Sequence, residues 1–223
     1  MPSLKYRIGY IALSPTLDEI FKKISCRTEV RRAQKEGVVV RVFHHEERSS
    51  EVRKSCRAML APLLRSEKVP YDSSFDRLIA GPQNYLFVAY TKEGVPSSFI
   101  SVEETALSEA FAGKKAAYLS LSATNSAYKA LCPNYLLIWR AIEVLKEAGF
   151  EYFNLGLLFY EKCPDPDLER VAFFKRKWYS GEYVQNEQVS IFVYIYYRFF
   201  KRYRWCKGLV LGVRQLLRRN LFR

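Results

Sequence analysis

Few residues in this 223-residue chain have the type and spacing to do chemistry. Its two histidines, His44 and His45, are adjacent and follow the apolar run VVVRVF. A Ser-His-Asp or Cys-His site would have to pass through them, and a surface loop suits the pair better. The five cysteines, Cys26, Cys56, Cys132, Cys163 and Cys206, are odd in number and widely spaced, with no C-x-x-C. That pattern gives no zinc knuckle or disulfide framework, and reduced thiols of a cytosolic protein are expected. There is no G-x-x-x-x-G-K-[ST], no G-x-G-x-x-G and no H-E-x-x-H. No carboxylate–imidazole cluster has metal-ligand spacing, so neither metal nor resident cofactor is expected. The candidates that remain are cationic. Lys175 lies in the run FFKRKW, and Tyr128 and Lys129 lie in SATNSAYKALCPN, just before a strong helical pattern. A fixed ammonium group in a cleft can stabilise the oxyanion of an acyl transfer. Because Arg176 and Lys177 adjoin Lys175, the same run is equally readable as a solvated helix face. The start of a helix at Asn134 would aim free N–H groups and partial positive charge at the preceding loop. There Tyr128, Lys129 and Asn134 could hold a phosphate or carboxylate, or form an ordinary cap and loop.

These residues need a scaffold, and the sequence patterning supplies one. Residues Tyr6 to Leu13 read as a strand, and Ser14-Pro15 as the opening of a helix. A second helix spans about Arg27 to Glu36 and stops at Gly37. Val38 to Phe43 is a short β-branched strand. Glu46 to Glu67 is helical, with Val52, Cys56, Met59 and Leu60 on one face, and Pro62 should kink it or end its first part. Ser74 to Ala80 reads as a short helix. Asn84 to Tyr90 and Ser97 to Thr105 form a hairpin around TKEGVP, and Ala116 to Ser122 is another strand. Tyr135 to Ala148 is the clearest helix, capped by Asn134 and ended by Gly149. Glu151 to Leu157 is a strand, Asp167 to Trp178 a helix, and Tyr183 to Tyr197 contains one more strand. Alternation of this kind implies a mixed, mostly antiparallel sheet flanked by helices, an α/β fold. We expect one domain over residues 1–195 and a basic helical tail over 196–223.

An ordered set of motifs runs through this scaffold: Tyr118-Leu119, Pro133-Asn134, Leu136-Leu137, Trp139, Ala148-Gly149, Phe153-Asn154-Leu155-Gly156, and Phe174-Lys175 with Trp178. Upstream lies RRAQKEGVVV, Arg31 to Val40. Together they resemble the second domain of the Fem-type aminoacyltransferases of the GNAT-fold superfamily and a related branch of GNAT-like acyltransferases. The resemblance implies a GNAT-like domain that forms amide bonds. It assigns the oxyanion-stabilising role to Lys175 and places Phe174 and Trp178 in the same motif. Tyr135 and Trp139 fall on positions that are core by spacing and that, by resemblance, could face substrate. The implied donor is aminoacyl-tRNA or an acyl thioester, and the implied acceptor is a small amine or a cell-envelope precursor. Asn154 stands where the family usually has aspartate. The chain has one GNAT-like unit where Fem enzymes carry two, so a homo-oligomer or a partner chain could supply the second half. The Q/R-x-x-G-x-G/A signature of acetyl-CoA binding is missing before the Asn134 helix.

Charge supplies the last expectations. The chain has 36 Lys plus Arg against 23 Asp plus Glu, a net +13, which points to phosphate-rich or anionic partners. Arg27, Arg31, Arg32 and Lys35 sit along one short helix, where they either contact phosphate or form a solvated face. Residues 198–223 carry nine Lys or Arg and no acid, interleaved with aromatic and aliphatic residues. Such a segment can lie on an anionic membrane, grip tRNA, or pack as a terminal helix. The longest apolar stretch, Val189 to Tyr197, is far short of the roughly 20 residues that span a bilayer. With no signal-peptide core at the N-terminus, the expected location is cytoplasmic, with peripheral contact at the inner membrane face. A non-catalytic RNA- or membrane-binding module on a degenerate GNAT scaffold is the alternative reading.

Overall fold

The structure is a computed structural model that describes residues 3–65, 81, 84–104, 111, 113–161, 166–188 and 191. β1 (Ser3–Ala12) leads into α1 (Leu17–Lys23). The cap of α1 is Thr16, rather than Ser14. Its hydroxyl accepts from Glu19 N at 3.3 Å, and the Glu19 carboxylate accepts from Thr16 N at 2.8 Å. This reciprocal box satisfies two orphan donors at once, which Ser14-Pro15 has no partner to match. α2 (Arg27–Lys35) stops before Gly37, whose φ of +74° is the left-handed turn that sends the chain into β2 (Val39–Phe43).

A single 3-10 turn, His45–Glu47, follows, with the Glu47 carboxylate taking up His44 N. α3 (Ser50–Arg65) therefore begins later than the sequence pattern suggests. It also runs on through Pro62, where an end or kink was expected. Its inner face is Cys56, Met59 and Leu60, as the spacing implies. β3 (Asn84–Tyr90) and β4 (Pro96–Glu104) make the hairpin, and β5 (Ala116–Thr124) continues it. A 3-10 stretch, Ser126–Leu131, leads to α4 (Pro133–Glu147), then β6 (Tyr152–Tyr160), α5 (Pro166–Arg176) and β7 (Gly181–Gln188). The expected Ser74–Ala80 helix and the 196–223 tail lie outside the described residues.

The strands form one mixed seven-stranded sheet in the order β2-β3-β4-β5-β6-β1-β7. β2 to β5 are antiparallel neighbours, and β5 pairs parallel with β6. The chain groups into two compact units. One holds residues 3–9, 157–161, 166–176 and 182–188, and the other holds 10–156 and 177–181. In the larger unit, α3 covers one sheet face through Cys56, Met59, Leu60, Leu86, Val88, Phe99, Leu121 and Ala123. α4 packs on β3 and β4 and on α2, burying Leu137, Ile138, Ala141, Ile142 and Leu145. In the smaller unit, Arg7 pairs with Glu161 and Glu182, and the Arg7 and Arg176 guanidinium groups both lie over the Phe159 ring.

The β5–β6 ladder is short. It consists of Ala116↔Tyr152, Ala117↔Phe153 and Tyr118↔Asn154, although both strands run on. The stop has a local cause. Asn154 is 2% exposed, and its Oδ1 accepts the Gly156 N–H at 2.7 Å. Gly156 itself has φ +78°. A side-chain turn of this kind takes an N–H out of the strand's own pattern and bends the backbone. A residue with a Cβ pays about 1–2 kcal/mol in the left-handed region. We therefore expect Gly156→Ala to lower the urea-unfolding free energy by about that amount. A variant with unchanged stability would show that this kink is not required by the fold.

Candidate active site

Three local arrangements carry the polar chemistry of the described residues. The first is the end of the β5–β6 ladder. Besides the Asn154 kink, β5 carries a bulge there: Ser101 pairs with Leu121 and Val102 with Leu119, leaving Ser120 as the inserted residue. Its hydroxyl donates to Ser101 O at 3.0 Å. A bulge leaves the inserted residue out of the ladder, and this one lies two residues past the last β5–β6 rung. Asn154 fills the structural role open to the family's aspartate, because a carboxamide oxygen accepts the same N–H. It does so without placing a charge at a buried position.

The second arrangement surrounds the start of α4. The helix begins at Pro133, two residues earlier than expected, so Asn134 sits in its first turn rather than at its cap. Cys132 takes the cap position with φ 55°, and its carbonyl accepts Tyr135 N at 3.1 Å. Proline at the first helical position needs no N–H partner, which shifts the boundary. Over this end lies Lys177. Its Nζ is 2.6 Å from Glu29 Oε1 and 3.2 Å from the Tyr135 hydroxyl. Its carbonyl accepts Ser25 N. The hydrogen bond that Lys177 donates to Glu29 raises the Lys177 pKa to about 12, and the same contact holds the Glu29 carboxyl below its ordinary range. The Cys132 thiol is pushed up by burial, with Arg32 opposing and Glu29 adding to the shift. Trp178 is 2% exposed, its ring 6.2 Å from that of Tyr135, and its buried Nε1 takes no partner among the described residues.

The third is Lys175, near the end of α5. Its Nζ donates to Leu157 O at 2.9 Å. Leu157 is the residue immediately after Gly156. The residue as a whole is half-buried, but desolvation of the ammonium lowers its pKa to about 8. Two lysines two residues apart thus differ sharply. Lys177 is fixed as a cation in an ion pair, whereas Lys175 is desolvated and holds its proton weakly. Among the described residues, Leu157 O is the one hydrogen-bond acceptor seen for Lys175.

The structure gathers Tyr135, Trp178 and Arg32 around the α4 start. Trp139 and Arg31 meet elsewhere, on Phe21: the Trp139 ring packs edge-on at 4.9 Å, and the Arg31 guanidinium lies 5.5 Å from the ring centre. Trp139 is buried there, as its core spacing suggests. Tyr128 is half-buried and Lys129 exposed, both in the 3-10 stretch, and Asn134 is half-buried. Lys35 is exposed on α2, and Phe174 is half-buried on α5. Glu29 and Lys177 were not legible as site residues. They join segments 148 residues apart, and nothing in either local sequence signals the pairing. His44 packs edge-on against Tyr85. No helix among the described residues is long and apolar enough to cross a membrane.

Comparison with solved structures shows the same fold. FemX matches with a TM-score of 0.60 and 14% identity over 80% of this chain and 59% of that one. L-PGS from Bacillus licheniformis matches with a TM-score of 0.56 and 17% identity over 87% and 64%. The chain thus spans about three fifths of the length of these proteins. The fold is the Fem-like GNAT fold that the motif resemblance implied. No family model matches the sequence, and no curated protein matches it.

The Lys175 environment has a consequence for stability. Between its folded pKa of about 8 and the ordinary lysine value of about 10.4, the unfolded chain holds a proton that the folded chain releases. Lys175 therefore weakens the fold below pH 8, and that penalty fades as pH rises through this window. The stability of the wild type relative to Lys175→Met should rise between pH 8 and pH 10 in urea titrations. A flat difference would mean that the ammonium is well solvated.

Proposed function

We propose that this protein is an acyl- or aminoacyltransferase that forms an amide bond on an amine, with aminoacyl-tRNA or an acyl thioester as donor. The observation that carries the reading is Lys175, a desolvated ammonium anchored on the first residue after the β6 kink. The reaction needs an amine to attack an ester or thioester carbonyl, a cation to stabilise the oxyanion that forms, and a proton for the leaving group. A buried ammonium serves the second need, because low dielectric strengthens its field. A pKa near 8 suits the third, since the group is protonated at neutral pH yet gives up its proton without a large penalty. We assign the α4 start, with Asn134, Tyr135 and the neighbouring Tyr128, Lys129 and Arg32, to holding phosphate or the polar end of the donor. Phe174 and Trp178 flank Lys175 in sequence. Because the chain spans only part of its structural neighbours, a second copy or a partner chain could complete the acceptor side.

Transfer from charged tRNA and from acyl-CoA to small amines tests this reading. Lys175→Ala should lower kcat by about 10²–10³-fold, the usual loss of one oxyanion donor. Turnover equal to wild type would remove Lys175 from the mechanism.

We further propose that residues 198–223 attach the protein to the inner, anionic face of a membrane. Leu209, Val213, Leu216 and Leu217 recur at helical spacing and offer nothing to a phosphate or a base face, but they suit a lipid interface. The full chain should co-float with phosphatidylcholine vesicles only when phosphatidylglycerol is included, and less so at high salt. Retention of tRNA without any vesicle binding would favour the RNA reading instead.

A further inference from the structure

α1, α2 and their connection concentrate positive charge on one stretch of surface. Lys22, Lys23, Arg27, Arg31, Arg32 and Lys35 are all exposed. The acids that could neutralise them are engaged elsewhere. Glu19 is held in the α1 cap by Thr16. Glu29 is the one acid inside α2, three residues before Arg32, and the two would ordinarily pair across a helical turn. Its carboxylate goes instead to Lys177, at 2.6 Å. No ion pair among the described residues takes up Arg31, Arg32 or Lys35. The fold thus diverts the carboxylate that would quench this face.

The cations are also ordered. Arg27, Arg31 and Lys35 recur every four residues, so they form one row along α2, about 12 Å long. Arg32 lies beside the row, near enough to the α4 start for its charge to act on the Cys132 thiol. Two of the arginines are held in place by the protein itself. Arg27 donates through Nη1 to Lys22 O at 3.0 Å, which uses one of its five N–H donors. The Arg31 guanidinium sits over the Phe21 ring, 5.5 Å from its centre. Both side chains keep N–H donors for an oxyanion and lose little freedom on meeting one.

A polyphosphate backbone suits this face better than a lipid surface does. An interfacial helix buries an apolar side among acyl chains. The large apolar side chains exposed among the described residues are Val39, Val95, Val171, Phe173, Val184 and Ile191, and none lies on α1 or α2. Between its cations α2 presents Thr28 and Gln34, side chains of the kind that hydrogen-bond to phosphate and sugar. One free phosphate would occupy only part of such a row. A strand of nucleic acid meets it along its length and gains affinity from each counterion released.

We propose that α1 and α2 form a docking surface for the sugar–phosphate backbone of a folded RNA, with Arg31, Arg32 and Lys35 as its phosphate contacts. Binding of this kind reads backbone and shape rather than sequence. The surface stands apart from the chemical step. Under the transferase reading it makes a tRNA ester, rather than a thioester, the donor, and that corollary alone rests on the reading.

The test uses the full chain and fluorescent deacylated tRNA, followed by anisotropy between about 50 and 200 mM salt. Wild type should bind with an affinity that falls steeply as salt rises. Arg31→Gln/Arg32→Gln/Lys35→Gln should bind about tenfold more weakly or worse at low salt, with the log–log salt slope reduced by about two to three, one for each lost contact. Arg53→Gln/Lys54→Gln removes two exposed charges from α3 and should leave the slope nearly unchanged. All five replaced side chains are exposed, so the fold should hold. Arg31→Lys/Arg32→Lys keeps the charge and should keep the slope. A wild-type slope in the triple variant would overturn the proposal, since the basic tail would then be the RNA contact. An equal loss in the α3 variant would overturn it too, because net charge alone would explain the binding. A triple variant that kept tRNA but no longer co-floated with phosphatidylglycerol vesicles would make this face a lipid surface instead. Failure of the transferase reading looks different: tRNA binding would still depend on these residues, while wild type transferred from no donor.

Discussion

The hydrogen bond from Gly156 N to Asn154 Oδ1 governs the architecture at the centre of this protein. Two parallel strands pair by default along their whole shared length, because each unmade backbone hydrogen bond in a buried sheet is a loss. Here pairing ends after the Tyr118↔Asn154 rung. The lost N–H is satisfied within β6 itself, by a side chain two residues back, and glycine permits the positive φ that results. The separation of β5 from β6 is therefore built into four consecutive residues, Phe153-Asn154-Leu155-Gly156, and needs no ligand to hold it. The bulge at Ser120 on β5 adds to the local departure from regular pairing.

Lysine chemistry in this chain shows how environment outweighs residue type. Lys175 and Lys177 lie in one short run of basic residues, where all would pass for a solvated surface. One is hydrogen-bonded to a backbone carbonyl and stripped of water, so its proton is loosely held. The other meets a carboxylate and a phenol, so its proton is tightly held. Only the first combination provides a cation that can also act as an acid near neutral pH. The second is a fastener. It joins α2 to the stretch after α5 and orients Tyr135 over the start of α4.

Much of the scaffold was legible in the sequence. Apolar periodicity located α4, the hairpin of β3 and β4, and β5, since each buries one face and the burial period writes itself into the residues. The ordered motifs identified the fold, because Gly149, Gly156 and Pro133 mark backbone turns that few other residues can make. Boundaries were less legible. Thr16 outcompeted Ser14 because Glu19 completes its cap, Cys132 displaced Asn134 as the α4 cap, and Pro62 was absorbed within α3. Local signals offered more than one solution at those points, and only hydrogen-bond pairing across the turn chose between them. The candidate site was legible by kind and not by environment. Sequence set the charge, the aromatic content and the presence of Lys175. Tertiary structure alone decided that Lys175 is desolvated and that Lys177 meets Glu29 across the chain. Solvation and long-range pairing depend on distant segments, and no local stretch of residues encodes them.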